Sequence, residues 1–180
     1  MSARIAAIGV VLLTALLLQV VVAPMIAIGG WRPDIILAAV VAFALVDGAE
    51  TGARFGFAAG LGADLLSGGP HLVGLTALVF LLVGAAAGGL RPYLSGTEQM
   101  AAFALGALAG ATAFVLFSGM SMLLDIRPFV VAFVLEGTLA STVWAAVLTP
   151  LATFPVRAVS RRFTGGETPV TGPGAPGRGW

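Results

Sequence analysis

The stretch DGAETGARFGFAAGLGADLLSGGPHLVG, residues 47–74, raises the main question about how this chain folds and what it does. Its glycines recur every four residues, which places them on one face of a helix, and an aspartate follows the last glycine at the same interval. The series consists of Gly48, Gly52, Gly56, Gly60 and Asp64. Glycines at this spacing let two membrane helices approach closely, so the stretch predicts either a helix-packing face within the chain or a partner interface.

The composition of the whole chain indicates an integral membrane protein. Of 180 residues, 59% are hydrophobic and only 9% are charged, whereas about a quarter are charged in a typical soluble domain. Uncharged runs cover 5–31, 72–90 and 99–124, and each is long enough as a helix to cross a hydrocarbon core about 30 Å thick. The first run exceeds the roughly 7–15 apolar residues of a secretory signal, which predicts an uncleaved helix.

Two shorter apolar segments, 33–46 and 52–66, flank a charged turn. Each covers only about 20 Å as a helix, so they predict either short spans or a re-entrant hairpin shielded by the rest of the bundle. The expected fold is an all-α, six-helix membrane bundle over residues 1–163, followed by a disordered, Gly/Pro-rich cytoplasmic tail at 164–180. The helices are predicted at about 5–28, 33–48, 52–67, 72–90, 99–124 and 129–155.

Arginine placement predicts how the bundle is oriented. All nine basic residues are arginine, and one of them lies in the predicted tail. Of the other eight, Arg32 and Arg127 fall at one end of the predicted helices and six fall at the other. The six are Arg4, Arg54, Arg91, Arg157, Arg161 and Arg162. Because basic residues are enriched on the cytoplasmic side, both termini are expected in the cytoplasm. The last three of these arginines are expected to anchor the final helix at the inner leaflet, either as a simple positive-inside anchor or through a specific site for anionic lipid.

Two acids fall inside apolar helices, where a charged side chain is costly unless it meets a polar partner or a cavity. Asp64 ends the glycine series and Glu136 lies in the last helix, both in the outward half of the bundle under this topology. Buried hydrogen-bond anchors are the favoured interpretation, with a proton or cation path as the alternative. The chain has no cysteine and one histidine, His71, so no catalytic, cofactor or metal site is predicted.

The chain matches one enzyme signature only in part. CDP-alcohol phosphotransferases carry D-x2-D-G-x2-A-R-x8-G-x3-D-x3-D, whose acids hold metal ions; here DG at 47–48, AR at 53–54 and GLGAD at 60–64 follow in the same order. Four residues instead of two separate DG from AR, and five instead of eight separate AR from the following glycine. Ala44 and Gly68 stand where the outer acids belong. Two acids cannot build a two-metal site, so we expect no enzyme of this class.

Two short motifs mark helix boundaries. In RPD at 32–34, Pro33 has the backbone angle of a first helical turn and Asp34 suits the positive end of a helix. In the second motif, Gly69, Pro70 and Gly74 are predicted to form an outer turn before the fourth helix.

In the order of these features the chain resembles the rod shape-determining protein MreD family. The most specific part is the G-F-x-x-G-L-x-x-D-L-x-S-G-G-P-x-x-x-G run from Gly56 to Gly74; the likeness is best over 12–91, and after Met100 only hydropathy agrees. The resemblance implies a non-enzymatic component of the bacterial cell-elongation (rod shape, peptidoglycan synthesis) machinery in the plasma membrane. Such proteins bind the single-span protein MreC and work beside RodA, a class B penicillin-binding transpeptidase and MreB.

The same family is similar in helix arrangement to the substrate-binding components of energy-coupling-factor vitamin transporters. The alternative function is therefore a small-molecule-binding membrane component of a vitamin-type transporter, with its ligand in the outer half of the bundle near Asp64 and Glu136. The scaffold hypothesis instead places an MreC-like membrane helix on an exposed helix surface. A net charge of +1 gives no reason to expect nucleic-acid binding, and no cofactor is expected.

Overall fold

The computed structural model describes residues 2–67, 73–94, 97–124 and 130–164. These residues form six α-helices and one short 3-10 turn, Arg91–Tyr93. The helices are α1 (Ser2–Val21), α2 (Ile35–Asp47), α3 (Ala49–Ser67), α4 (Leu75–Leu90), α5 (Glu98–Leu123) and α6 (Val131–Thr164). Helices α1, α4, α5 and α6 are long and apolar enough to cross a membrane. Over the described residues, the predicted all-α architecture with several helices suited to crossing a membrane is therefore confirmed.

The first helix is shorter at its C-terminal end than predicted. It ends at Val21 instead of near residue 28, although the sequence stays apolar beyond that point. Pro24 lacks a backbone N–H and disfavours helical backbone at the residue before it, so the helix gives way to turns. Gly29 and Gly30 then adopt positive φ angles of 60° and 86° in the connection to α2.

The last helix is longer than predicted. It continues to Thr164 instead of ending near residue 155, with Pro150 and Pro155 inside it. The prediction stopped where the apolar run stops, but the chain after Pro155 stays helical with Val156 and Ser160 buried. The end of the apolar run therefore does not mark the end of this helix.

Helix α2 lies at the centre of the bundle. Every residue from Ile36 to Leu45 is buried, and α2 contacts each of the other five helices. This position explains why its sequence is apolar on all sides, since a helix that is hydrophobic all round is a buried one. Around it, α3 packs closely on α4 and α5 packs closely on α6, whereas α1 is more loosely attached.

Contacts at both ends of α2 show the direction in which it runs. At its start, the Ile35 N–H donates to Gln19 Oε1 over 2.7 Å; at its end, Asp47 forms an ion pair with Arg4 over 3.5 Å. Helix α2 is therefore antiparallel to α1 from the level of Gln19 to that of Arg4, a rise of about 22 Å along α1.

Candidate functional site

Three of the four predicted packing glycines face α4. A Cβ atom added at Gly60 would lie 2.5 Å from Ala77 Cα, and one at Gly56 would lie 2.7 Å from the carbonyl carbon of Phe80. A Cβ at Gly52 would be 2.6 Å from Ala44 Cβ of α2 and 2.8 Å from a backbone oxygen of α4. Side chains at these positions would push the two backbones apart. The glycine face is therefore occupied within the chain, by α4.

Gly48 has a different role from the other three glycines. It follows the last residue of α2 with a φ angle of 91°, its N–H donates to the Ala44 carbonyl over 3.1 Å, and a Cβ there would meet nothing within 4 Å. Positive φ strains residues that carry a side chain, so glycine is favoured here for its backbone. Gly48 therefore belongs to the turn between α2 and α3, and its backbone still lies close to α4, since a Cβ atom added at Gly88 would be 2.8 Å from the Gly48 carbonyl carbon.

Asp64 caps the N-terminus of α4 from the neighbouring helix. It is buried, and its Oδ2 accepts hydrogen bonds from the backbone N–H groups of Gly74, over 2.7 Å, and Thr76, over 3.2 Å. The first N–H groups of a helix lack partners within it, and Gly74 has no side chain to supply one. The positive end of the helix also favours a carboxylate. Asp64 thus ties the C-terminal part of α3 to the start of α4.

Glu136 has a different environment. It is exposed on α6, which packs on α5 and α2, whereas Asp64 lies at the contact between α3 and α4. The structure therefore places the two acids on different helix pairs and does not bring them together in one site.

At the start of α2, the predicted helix-start residue Asp34 is joined by Gln19, whose role the residue patterns alone did not single out. Asp34 is the N-cap, and its Oδ1 accepts from the Leu37 N–H over 2.9 Å; Pro33 precedes this cap and does not occupy the first helical turn. Gln19 donates to the Pro33 carbonyl over 3.2 Å and accepts from the Ile35 N–H. The only sequence signal for this role is an amide side chain within an otherwise apolar run.

Part of the predicted outer turn can be placed. Gly74 is the N-cap of α4, with a φ angle of 104°. Gly69, Pro70 and His71 lie outside the described residues, as does Arg127. The predicted tail also lies outside them, apart from Thr164, the last residue of α6.

At the opposite end of the bundle, charged residues surround a cleft of about 670 Å³. The cleft lies beyond the C-terminal end of α2, and its walls come from α1, the 3-10 turn, α5 and α6. Its charged lining consists of Arg4, Asp47, Arg91, Glu98, Arg157 and Arg161. Of the three predicted lipid-anchoring arginines, two therefore line this cleft, while Arg162 is exposed and is not among the lining residues.

Polar contacts hold the walls of the cleft together. The Asp47 side chain is only 9% exposed; it accepts a hydrogen bond from Ser160 Oγ over 3.0 Å and is paired with Arg4. Arg157 pairs with Glu98 on α5. Arg91 donates to the carbonyl of Val46 over 3.2 Å.

These contacts link the ends of α1, α2, α4, α5 and α6. The residues that make them lie far apart in sequence, so no local motif could have predicted their grouping.

Within the described ranges, no group of three or more His, Cys, Asp or Glu side chains is placed to hold a metal ion. Comparison of the chain with protein-family models, with curated proteins and with solved structures finds no match.

Proposed function

We propose that this chain is a non-enzymatic membrane scaffold of the bacterial cell-elongation machinery, located in the plasma membrane. The observation that carries the proposal is the distribution of polar and apolar groups. The buried acids and the glycine face described above are used to hold the chain's own helices together, while long apolar surfaces face outwards. A protein built in this way acts by packing against other membrane components.

Helix α1 is the surface that we propose for a partner. Only 11% of its most apolar 18-residue stretch is buried. Val10, Leu13, Leu17 and Val20 are each more than half exposed. Polar contacts near its two ends, through Arg4 and Gln19, fix α1 to the bundle. This arrangement presents an immobilised apolar helix face along which a second membrane helix can pack.

The resemblance to the MreD family names the partner in this proposal. It is an MreC-like single-span protein, and RodA, a class B penicillin-binding transpeptidase and MreB belong to the same assembly. The proposal includes a helix arrangement similar to that of the substrate-binding components of energy-coupling-factor transporters. The proposal also includes cytoplasmic termini. The arginines at the Arg4 end of the described bundle support this orientation, because they outnumber Arg32, which lies near the other end.

The transporter alternative has less support from the geometry. It needs Asp64 and Glu136 to converge on a ligand, but Asp64 caps α4 and Glu136 lies on the exposed surface of α6. The cleft around Arg4 lies at the other end of the bundle.

The proposal is tested by co-purification in mild detergent, comparing two matched pairs of exposed leucines. Replacing Leu13 and Leu17 of α1 by alanine removes side chains that are 62% and 65% exposed; replacing Leu78 and Leu82 of α4 removes side chains that are 41% and 45% exposed. Lost packing in the α1 pair should reduce retention of the MreC-like partner by about tenfold, and the α4 pair should not.

Deleting the gene should also convert rod-shaped cells to rounded ones. Cells that keep their shape without the chain, together with a purified chain that retains no elongation protein, would refute the scaffold proposal. Equal loss of the partner in both leucine pairs would refute α1 as the docking face.

A further inference from the structure

The cleft at the arginine-bearing end has a net positive charge. Four arginines line it, from α1, the 3-10 turn and α6, against two acids, Asp47 and Glu98, which leaves an excess of two positive charges. Asp47 lies at the floor, where α2 ends, and is already paired with Arg4 and bonded to Ser160. Glu98 is paired with Arg157. The excess charge therefore belongs to Arg91 and Arg161.

These two arginines can serve an anionic ligand. A guanidinium group has five N–H donors, and the hydrogen bond described for Arg91 uses one of them, to the Val46 carbonyl. Both Arg91 and Arg161 are exposed along the wall of the cleft. Planar guanidinium groups bind phosphate oxygens through paired, charge-assisted hydrogen bonds. This planar geometry matches phosphate better than the compact ammonium group of lysine does.

An apolar groove continues from the same end of the bundle. It has a volume of about 580 Å³, runs between α1 and α3, and shares Arg4 with the cleft. Its walls are largely apolar, including Ile8, Leu12 and Phe55. A phosphate site beside an apolar groove matches the two parts of a membrane lipid, the headgroup and the acyl chain.

We infer that the cleft is a phosphate-binding site, and that an anionic membrane lipid supplies the phosphate. Arg91 and Arg161 contact the headgroup, and the groove between α1 and α3 receives an acyl chain. This site is distinct from general attraction of basic residues to the inner leaflet, because Arg162 has the same charge at the same helix end and does not line the cleft.

The different positions of Arg161 and Arg162 provide the test. The full chain is purified in detergent as the wild type, as Arg161→Gln and as Arg162→Gln, and each is titrated with phosphatidylglycerol or with phosphatidylcholine of the same acyl chains. Native mass spectrometry then counts the retained lipids. We expect phosphatidylglycerol to be retained over phosphatidylcholine, and Arg161→Gln to weaken that retention by about tenfold because charge-assisted hydrogen bonds to the phosphate are lost, with little change for Arg162→Gln.

A second arm identifies the source of the phosphate, with inorganic diphosphate as the probe. Diphosphate that displaces phosphatidylglycerol from the wild type supports a shared phosphate site in the cleft. Diphosphate that binds a chain unable to retain phosphatidylglycerol overturns the lipid source. Equal weakening by Arg161→Gln and Arg162→Gln, or equal retention of the two lipids, overturns the site altogether. Thermal unfolding of both variants checks that any loss of binding occurs in folded protein.

Discussion

Replacing Asp64 tests whether this intramembrane acid holds the fold together. Asp64→Ala removes the acceptor for two backbone N–H groups at the start of α4, those of Gly74 and Thr76. A hydrogen bond to a charged group contributes about 1.5–3 kcal/mol, and the bond to Thr76 is the longer and weaker of the two. We therefore expect Asp64→Ala to lower the free energy of unfolding by about 2–4 kcal/mol.

The conservative variant separates the hydrogen bonds from the charge. Asp64→Asn keeps an acceptor oxygen and loses only the attraction between the carboxylate and the positive end of α4, so the expected cost is about 1 kcal/mol. The measurement is reversible unfolding in mixed detergent micelles, followed by circular dichroism. Glu136→Ala is the control, because this acid is exposed on α6 and its removal should change the free energy by no more than about 0.5 kcal/mol.

Two results would refute this reasoning. An Asp64→Ala variant as stable as the wild type would show that the two N–H groups find other partners at no cost. An Asp64→Asn variant with normal protein levels and no function in cells would show that the charge of Asp64 has a role beyond capping α4.

Three further predictions follow from the packing. Gly84→Ala should destabilise the bundle by about 1–3 kcal/mol, because its Cβ would meet the α3 backbone. Gly89→Ala has open space around its Cβ and should be neutral or stabilising by up to about 1 kcal/mol. Thermal unfolding in detergent compares the two variants. Gln19→Leu should cost about 1–3 kcal/mol in the same assay because it frees N–H groups at the start of α2. Since the chain has no cysteine, Glu50→Cys and Arg32→Cys can each be labelled as a single-cysteine variant. An impermeant thiol reagent should reach the two cysteines from opposite sides of the membrane. Labelling of both from the same side would favour a re-entrant α2–α3 hairpin.

The small residues show how far the sequence pattern reaches. A spacing of four predicted that Gly52, Gly56 and Gly60 share a helix face, and the structure supplies the opposing surface, the backbone of α4. The same spacing included Gly48, which instead ends α2 with a positive φ angle. Periodicity could not distinguish these roles, because a four-residue interval continues across a helix boundary that depends on the local backbone.

The polar residues show a similar limit. The sequence identified Asp64 as an acid in an apolar segment that needs a partner, but its partners lie ten and twelve positions away, on the next helix. The sequence also indicated that arginines collect at one end of the bundle. It could not show that Arg91 and Arg161, seventy positions apart, line one cleft.

The sequence by itself determined that the described part of the chain is helical, with several helices long and apolar enough to cross a membrane, because hydropathy and helical periodicity are properties of each segment alone. Only the tertiary structure decided that the short α2 is the centre of the bundle, that α4 packs on the glycine face, and that α1 is the least buried of the four long apolar helices. The physical reason is that each of these facts depends on contacts between segments distant in sequence. In an almost uniformly apolar chain, hydropathy does not distinguish a surface that meets another helix from one that meets lipid.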